Sequence, residues 1–211
     1  MYQPAAIWSL RLVVFDKGIG LTQNVILSQA ADALRAVVDR IRTLQALIAS
    51  SPIQDTYISP AIPGMLSDLC YQAGLASTIL FNNSSRGKKE SALAFSLRKE
   101  RLRYVQDLCA SQNLQTPILK DRSLRNALTH IDEHLADALT QDANVGWLID
   151  SAIESRTQFS APPGLCVGYC RSYIRSEDKI VHLDHELPLS ALAAECTAVR
   201  AVVFGLETGA T

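Results

Sequence analysis

The sequence predicts a mainly α-helical protein, an up-and-down bundle of four to five long helices with a small β-hairpin before the last helix. Two observations predict this class. Long stretches place apolar residues three and four positions apart, and two β-rich runs fall between residues 166 and 185. The 211 residues show no break in composition, so we expect a single domain over residues 1–211, with the hairpin as an insertion at about 140–187.

The first half of the chain predicts two helices. Residues 5–15 fit either a short strand or a short helix, with a slight preference for helix. Residues 22–50 carry one continuous apolar stripe and predict a helix of about seven turns. Residues 64–81 predict a second helix, which holds a single charged residue and must be covered by its own domain or by a second subunit. Its polar residues favour a buried helix over a membrane span.

A third helix is predicted at residues 88–112, after a turn at residues 82–87. It is the most basic element of the chain, because residues 86–107 hold seven Lys and Arg against three Asp and Glu. Such a face is either solvated or a phosphate-binding patch. The candidate RNA-binding residues are Arg98, Lys99, Arg101 and Arg103.

The second half of the chain predicts a motif helix, a hairpin and a closing helix. Residues 121–139 carry an apolar seam at helical spacing, with Asp121 placed to cap the first turn. A short helix is expected at about 146–154. The β-rich runs 166–175 and 179–185 predict a hairpin. Residues 188–206 predict the last helix, whose inner face carries Leu192, Cys196, Val199 and Val203.

The polar face of the motif helix carries the local cluster best suited to chemistry. Asn126 and His130 are four residues apart and therefore neighbours, and the long side chain of Arg125 can reach the same place. A guanidinium, an amide and an imidazole are thus expected in one neighbourhood.

The run from Arg125 to His130 resembles the R-x4-6-H motif of the HEPN superfamily (higher eukaryote and prokaryote nucleotide-binding domains), in which a polar residue often follows the arginine. The likeness covers these six residues and, more loosely, the bundle pattern. The superfamily includes metal-independent ribonucleases, toxins of toxin–antitoxin modules and abortive-infection proteins. The resemblance therefore implies RNA as ligand and an antitoxin or defence-system protein as partner.

The residue types suit RNA cleavage by attack of the 2′-hydroxyl, which needs a base, an acid and positive charge. His130 can act as base or acid near neutral pH, and Arg125 can clamp the phosphate. Asn126 can orient either. One histidine cannot be both acid and base in one step, so either His134 is the second group, with Glu133 in support, or a homodimer supplies a second His130. The resemblance favours the homodimer. No cofactor or metal is expected.

Composition limits the other possibilities. With 20 Lys and Arg against 21 Asp and Glu, the net charge of −1 predicts no general attraction to nucleic acid or membrane, so RNA binding needs a local patch. The five scattered cysteines predict neither a disulfide framework nor a zinc site. The absence of a secretory signal favours the cytoplasm. The alternative function is a non-catalytic HEPN-like bundle that binds nucleotides, RNA or protein.

Overall fold

The structure is a computed structural model, and it describes residues 20–50, 61–121, 123, 126, 136, 140 and 145–205. Within these ranges the protein is mostly helical, as predicted, with a β region placed mainly after the helices. The undecided residues 5–15 lie outside them. The helices are α1 (Leu21–Ser50), α2 (Ala61–Phe81), α3 (Ala92–Ser111), α4 (Pro117–Lys120) and α5 (Leu189–Phe204). The strands are β1 (Val145–Ile149), β2 (Ala152–Ile153), β3 (Cys166–Tyr169), β4 (Ser172–Ile174), β5 (Lys179–His182) and β6 (His185–Pro188).

Helix α1 is the centre of the bundle and packs against α2 and α5. Its predicted stripe is confirmed, because every member of the stripe is buried: Leu27, Ala31, Leu34, Val38, Ile41, Leu44 and Ile48. The predicted inner face of α5 is confirmed in the same way by Leu192, Cys196, Val199 and Val203. A 3.6-residue repeat puts such positions on one side of a helix, and their burial against each other stabilises the bundle.

Helix α3 begins four residues later than the predicted residue 88. Ser91 is its N-cap, and the Ser91 hydroxyl accepts a hydrogen bond from the backbone N–H of Ala94 at 3.1 Å. A capping serine satisfies an N–H that the first turn leaves without a helical partner, so the helix starts after it. Helix α3 packs against α2 and α5 through Leu102, Val105 and Cys109.

The β region corrects two predictions. The short helix expected at 146–154 is wrong, since this stretch forms β1 and β2. The single hairpin is also wrong as a full account, because the described residues form two sheets, one of β1 and β3 and one in the order β2-β4-β5-β6. The antiparallel pair of β4 and β5 is the part of the hairpin that the sequence predicted. Strands β1 and β3, and likewise β2 and β4, pair in parallel.

The four-stranded sheet has an apolar layer on each side. Tyr173 and Ile180 face the main core, which draws buried residues from each of the helices α1 to α5. Their chain neighbours Ile174 and Val181 face a smaller core with Ile153 and Tyr169. Alternate residues of a strand point to opposite faces of a sheet. One face of this sheet therefore packs on the helical core, and the other face packs on the smaller core.

None of the described helices combines the length and apolar character needed to cross a membrane. The finding bears on helix α2, for which the sequence raised the choice between a buried helix and a membrane span. Its apolar sides lie against α1, α3 and α4. Its one charged residue, Asp68, accepts from Arg40 of α1 at 2.7 Å.

Candidate nucleic-acid interface

Within the motif segment, residues 121–139, the structure describes Asp121, Ser123, Asn126 and Ala136, and the last three of these are helical, as is Thr140 just beyond the segment. Asn126 is exposed. Asp121 behaves as a capping residue, since its Oδ1 accepts from the backbone N–H of Ser123 at 2.8 Å. The other site residues, Arg125, His130, Glu133 and His134, lie outside the described residues, so their catalytic and supporting roles stay predictions.

The start of the motif segment is held in place through α4. The carboxylate of Glu195 on α5 accepts from the backbone N–H groups of Leu119 and Ile118 at 2.7 and 3.1 Å. Burial raises the pKa of Glu195, although these two N–H groups and Lys120 oppose the rise. A cleft of about 190 Å³ separates Asp121 and Ser123 from β6. The β region therefore borders the beginning of the motif segment.

Arg98 closes the loop that joins α2 to α3. Its Nε and Nη2 donate to the two carboxylate oxygens of Glu90, each at 2.9 Å. Its Nη1 and Nη2 also donate to the carbonyls of Asn82, Ser84 and Ser85 at 3.0 to 3.3 Å. The hydrogen bonds from Arg98 lower the pKa of Glu90 to about 2. Arg98 therefore organises the loop from inside.

Arg101 is buried where three helices meet. Its Nε donates to the carbonyl of Ile79 at 2.9 Å and its Nη1 donates to Oε1 of Gln23 at 2.8 Å. Gln23 in turn donates to the carbonyl of Leu97 at 2.6 Å. Burial, together with the charge of Arg98, lowers the pKa of Arg101. With 6% of its surface exposed, Arg101 ties α1 and α2 to α3 and offers little to a ligand.

The remaining predicted RNA-binding residues are more accessible. Lys99 donates to the side chain of Asn83, and its Nζ lies 5.5 Å from the centroid of the Phe95 ring. These contacts leave Lys99 partly exposed, and Arg103 is exposed on α3.

The structure also exposes cations that were not singled out as RNA-binding residues. Arg86, Lys88 and Lys89 are exposed on the loop 82–90. The spacing of residues along α3 distinguishes the cations on its inner face from those on its exposed face. Arg98 and Arg101 stand four residues before the buried Leu102 and Val105, which places them on the inner face of α3.

The polar groups of the β region hold the fold together. Asp178 accepts from the Tyr173 hydroxyl at 2.9 Å, from Gln45 at 3.2 Å and from the backbone N–H of Ser190 at 2.9 Å. Although burial opposes it, this set of donors lowers the pKa of Asp178. Arg156 is paired with Glu177 at 2.8 Å and with Glu186. In the part of the chain that the structure describes, no three His, Cys, Asp or Glu side chains converge as metal ligands would.

Comparisons of this chain with protein-family models, with curated proteins and with solved structures find no match.

Proposed function

We propose that this protein is a metal-independent endoribonuclease of HEPN type that cleaves RNA by attack of its own 2′-hydroxyl. The observation that carries the proposal is the position of Asn126, the second residue of the motif Arg125-Asn126-x-x-x-His130. Asn126 is helical and lies at the protein surface, where a ligand can reach it. The chain just before it is held by Asp121, which accepts from the backbone N–H of Ser123, and by the contacts of α4 with Glu195.

The proposed reaction assigns one step to each side chain. Neutral His130 takes the proton of the 2′-hydroxyl, whose oxygen attacks the adjacent phosphorus. The guanidinium of Arg125 donates to the phosphate oxygens as negative charge builds on them. A protonated histidine gives its proton to the departing 5′-oxygen. The products are a 2′,3′-cyclic phosphate and a 5′-hydroxyl.

The reaction needs a second imidazole, because one imidazole cannot take and give a proton in the same step. We favour a homodimer, in which His130 of a second copy supplies the acid; the alternative acid is His134 of the same chain. We further propose a cytoplasmic toxin or defence role with an antitoxin or other defence-system protein as partner. Five free cysteines suit a reducing compartment such as the cytoplasm.

The test is cleavage of single-stranded RNA by the purified protein in the presence of EDTA. We expect cutting that His130→Ala and Arg125→Ala each abolish, with cyclic phosphate ends on the products. The matched controls are His185→Ala and Arg42→Ala, which replace the same residue types elsewhere and should leave cutting unchanged. Equal cutting by all four variants would show that the activity does not come from the motif and would end the proposal.

A second candidate function is a non-catalytic RNA- or protein-binding bundle. It is favoured by the exposed cations Arg86, Lys88 and Lys89, which can bind phosphates without any catalytic group. This candidate expects binding of the same RNA with no cyclic phosphate product. Product analysis by mass spectrometry separates the two functions.

A further inference from the structure

The loop 82–90 has a defined shape although most of its residues are exposed. Ser84 donates its backbone N–H to the side chain of Asn82 at 3.1 Å, and Glu90 donates its backbone N–H to the carbonyl of Gly87 at 3.0 Å. Arg98 binds the carbonyls on one side and the Glu90 carboxylate on the other. A loop that is already ordered loses little conformational entropy when it binds a ligand.

The same contacts leave the exposed surface of the loop positively charged. Glu90 is the one acidic residue of the loop, and its carboxylate is bound by Arg98 and by the backbone N–H of Gly87 at 3.2 Å. Arg86, Lys88 and Lys89 remain exposed. Arg86 keeps its place by donating to the Glu90 carbonyl at 2.7 Å. The outer surface of the loop is therefore cationic.

Further charges surround the loop. Lys99 on α3 donates to Asn83 of the loop and adds a fourth cation. Residues 82–103 hold seven Lys and Arg against two acidic residues, Glu90 and Glu100, and Glu90 is already bound by Arg98. The loop and the first turns of α3 are therefore cationic, although the whole chain has a net charge of −1.

The loop and the motif segment begin at the same end of the bundle. Nζ of Lys120 lies 5.6 Å from the centroid of the Phe81 ring, and Phe81 directly precedes the loop. Lys120 is also the last residue of α4, after which the motif segment starts. The loop and the motif segment therefore both start from the place where Phe81 and Lys120 meet, so a polyanion bound on the loop would lie at the same end of the bundle as the start of the motif segment.

We propose that Arg86, Lys88 and Lys89 form a phosphate-binding surface that holds the backbone of single-stranded RNA next to the motif segment. Arg98 shapes this surface and does not touch the ligand. The choice of RNA as ligand rests on the proposed function. The interaction is with phosphates, so it is independent of base sequence and weakens with salt.

The test uses an oligonucleotide that cannot be cut, so that binding is measured separately from cleavage. The probe is a fluorescein-labelled 2′-O-methyl oligouridine of about 15 nucleotides, in which methylation blocks the attacking hydroxyl. We expect Lys88→Gln with Lys89→Gln to weaken its binding about tenfold at low salt. The slope of log K against log salt should fall by about 1.4, since each phosphate contact on a single strand contributes about 0.7.

Two further variants serve as controls. Arg35→Gln with Arg42→Gln removes the same charge from the exposed face of α1. These positions lie about 18 and 28 Å along α1 from Gln23, which marks the end of the bundle near the loop. This variant should change binding less than twofold. Lys88→Arg with Lys89→Arg keeps the charge and should retain binding, while matching circular dichroism spectra establish that every variant folds.

The outcomes separate this inference from the proposed function. Equal loss in the loop and α1 variants, or no loss in the loop variant, would overturn the inference even if the protein cuts unmodified RNA. Loss that is specific to the loop supports the inference even if no RNA is cut. In a second arm, vesicles containing phosphatidylserine replace the RNA. If the loop variant loses vesicle binding and keeps RNA binding, the surface serves a membrane and the inference fails.

Discussion

Nη1 of Arg101 lies 2.8 Å from Oε1 of Gln23, and both side chains are buried between α1 and α3. This pair joins residues 78 positions apart in the chain. It also explains how a cation with little exposure is tolerated inside the protein, because its other contact is the carbonyl of Ile79 at the end of α2.

Replacing Arg101 should therefore destabilise the fold. In Arg101→Met the oxygens of Gln23 and Ile79 lose their donor, and each buried polar group left without a partner costs about 1–3 kcal/mol. We expect the free energy of unfolding in urea to fall by at least about 2 kcal/mol. The control is Arg103→Met on the exposed face of the same helix, which should stay within about 0.5 kcal/mol of the wild type. Equal effects of the two substitutions would contradict an internal role for Arg101.

Replacing Arg98 should loosen the loop 82–90 while leaving its exposed cations in the chain. Arg98→Lys keeps the charge, but an ammonium cannot donate in parallel to a carboxylate and span three carbonyls as the guanidinium does. Amide hydrogen exchange of residues 83–90 should become faster, and the melting temperature should fall. The matched control, Lys89→Arg, should leave both unchanged. Protection that survives Arg98→Lys would mean that other contacts hold the loop.

The free energy of unfolding should fall at low pH because Asp178 becomes protonated. Its pKa is lowered in the folded state, so its contribution is present above the unfolded value of about 3.8 and is lost as the pH falls through the lower folded value. Asp178→Asn keeps a residue that tolerates the positive φ of 50° but removes one acceptor, at a cost of about 1–2 kcal/mol near pH 7. Urea unfolding between pH 7 and pH 2.5 should show a flatter acid limb for Asp178→Asn. The exposed Asp184→Asn should keep the wild-type profile, and a wild-type slope in both would refute the assignment.

The helices could be predicted from the sequence because their evidence is local. The stripe from Leu27 to Ile48 and the inner face of α5 repeat every three and four residues, and burial in the structure follows that repeat. Strands β1 and β2 could not be predicted in this way. They are too short to show a period, and their partners lie about 20 residues away in the chain, so pairing decides their conformation.

In the candidate site, too, the features set by adjacent residues were predicted, and those set by distant residues were not. The capping role of Asp121 depends on adjacent residues and was predicted. The inward course of Arg98 and Arg101 was not predicted. Their spacing from Leu102 and Val105 places them on the inner face of α3, but whether a long side chain then buries its guanidinium depends on partners elsewhere in the chain, such as Gln23 and the carbonyl of Ile79. The roles of Arg125 and His130 are predicted from the motif, so their substitution is the decisive test of function.

Two glycines should respond to alanine in opposite directions. A Cβ on Gly146 of β1 would lie 2.7 Å from Cδ1 and 2.9 Å from Cβ of Leu165, so the backbone around the β1–β3 pair must shift. We expect Gly146→Ala to cost about 1–3 kcal/mol and to speed hydrogen exchange in Val145–Ile149. Gly64 lies in the first turns of α2, where a Cβ would meet no other atom within 4 Å. Alanine there should stabilise the protein by about 0.5–1 kcal/mol, because it restricts the unfolded chain. Urea unfolding of both variants measures the difference. A Gly146→Ala protein as stable as the wild type would show that Leu165 can move aside without disturbing the parallel pair.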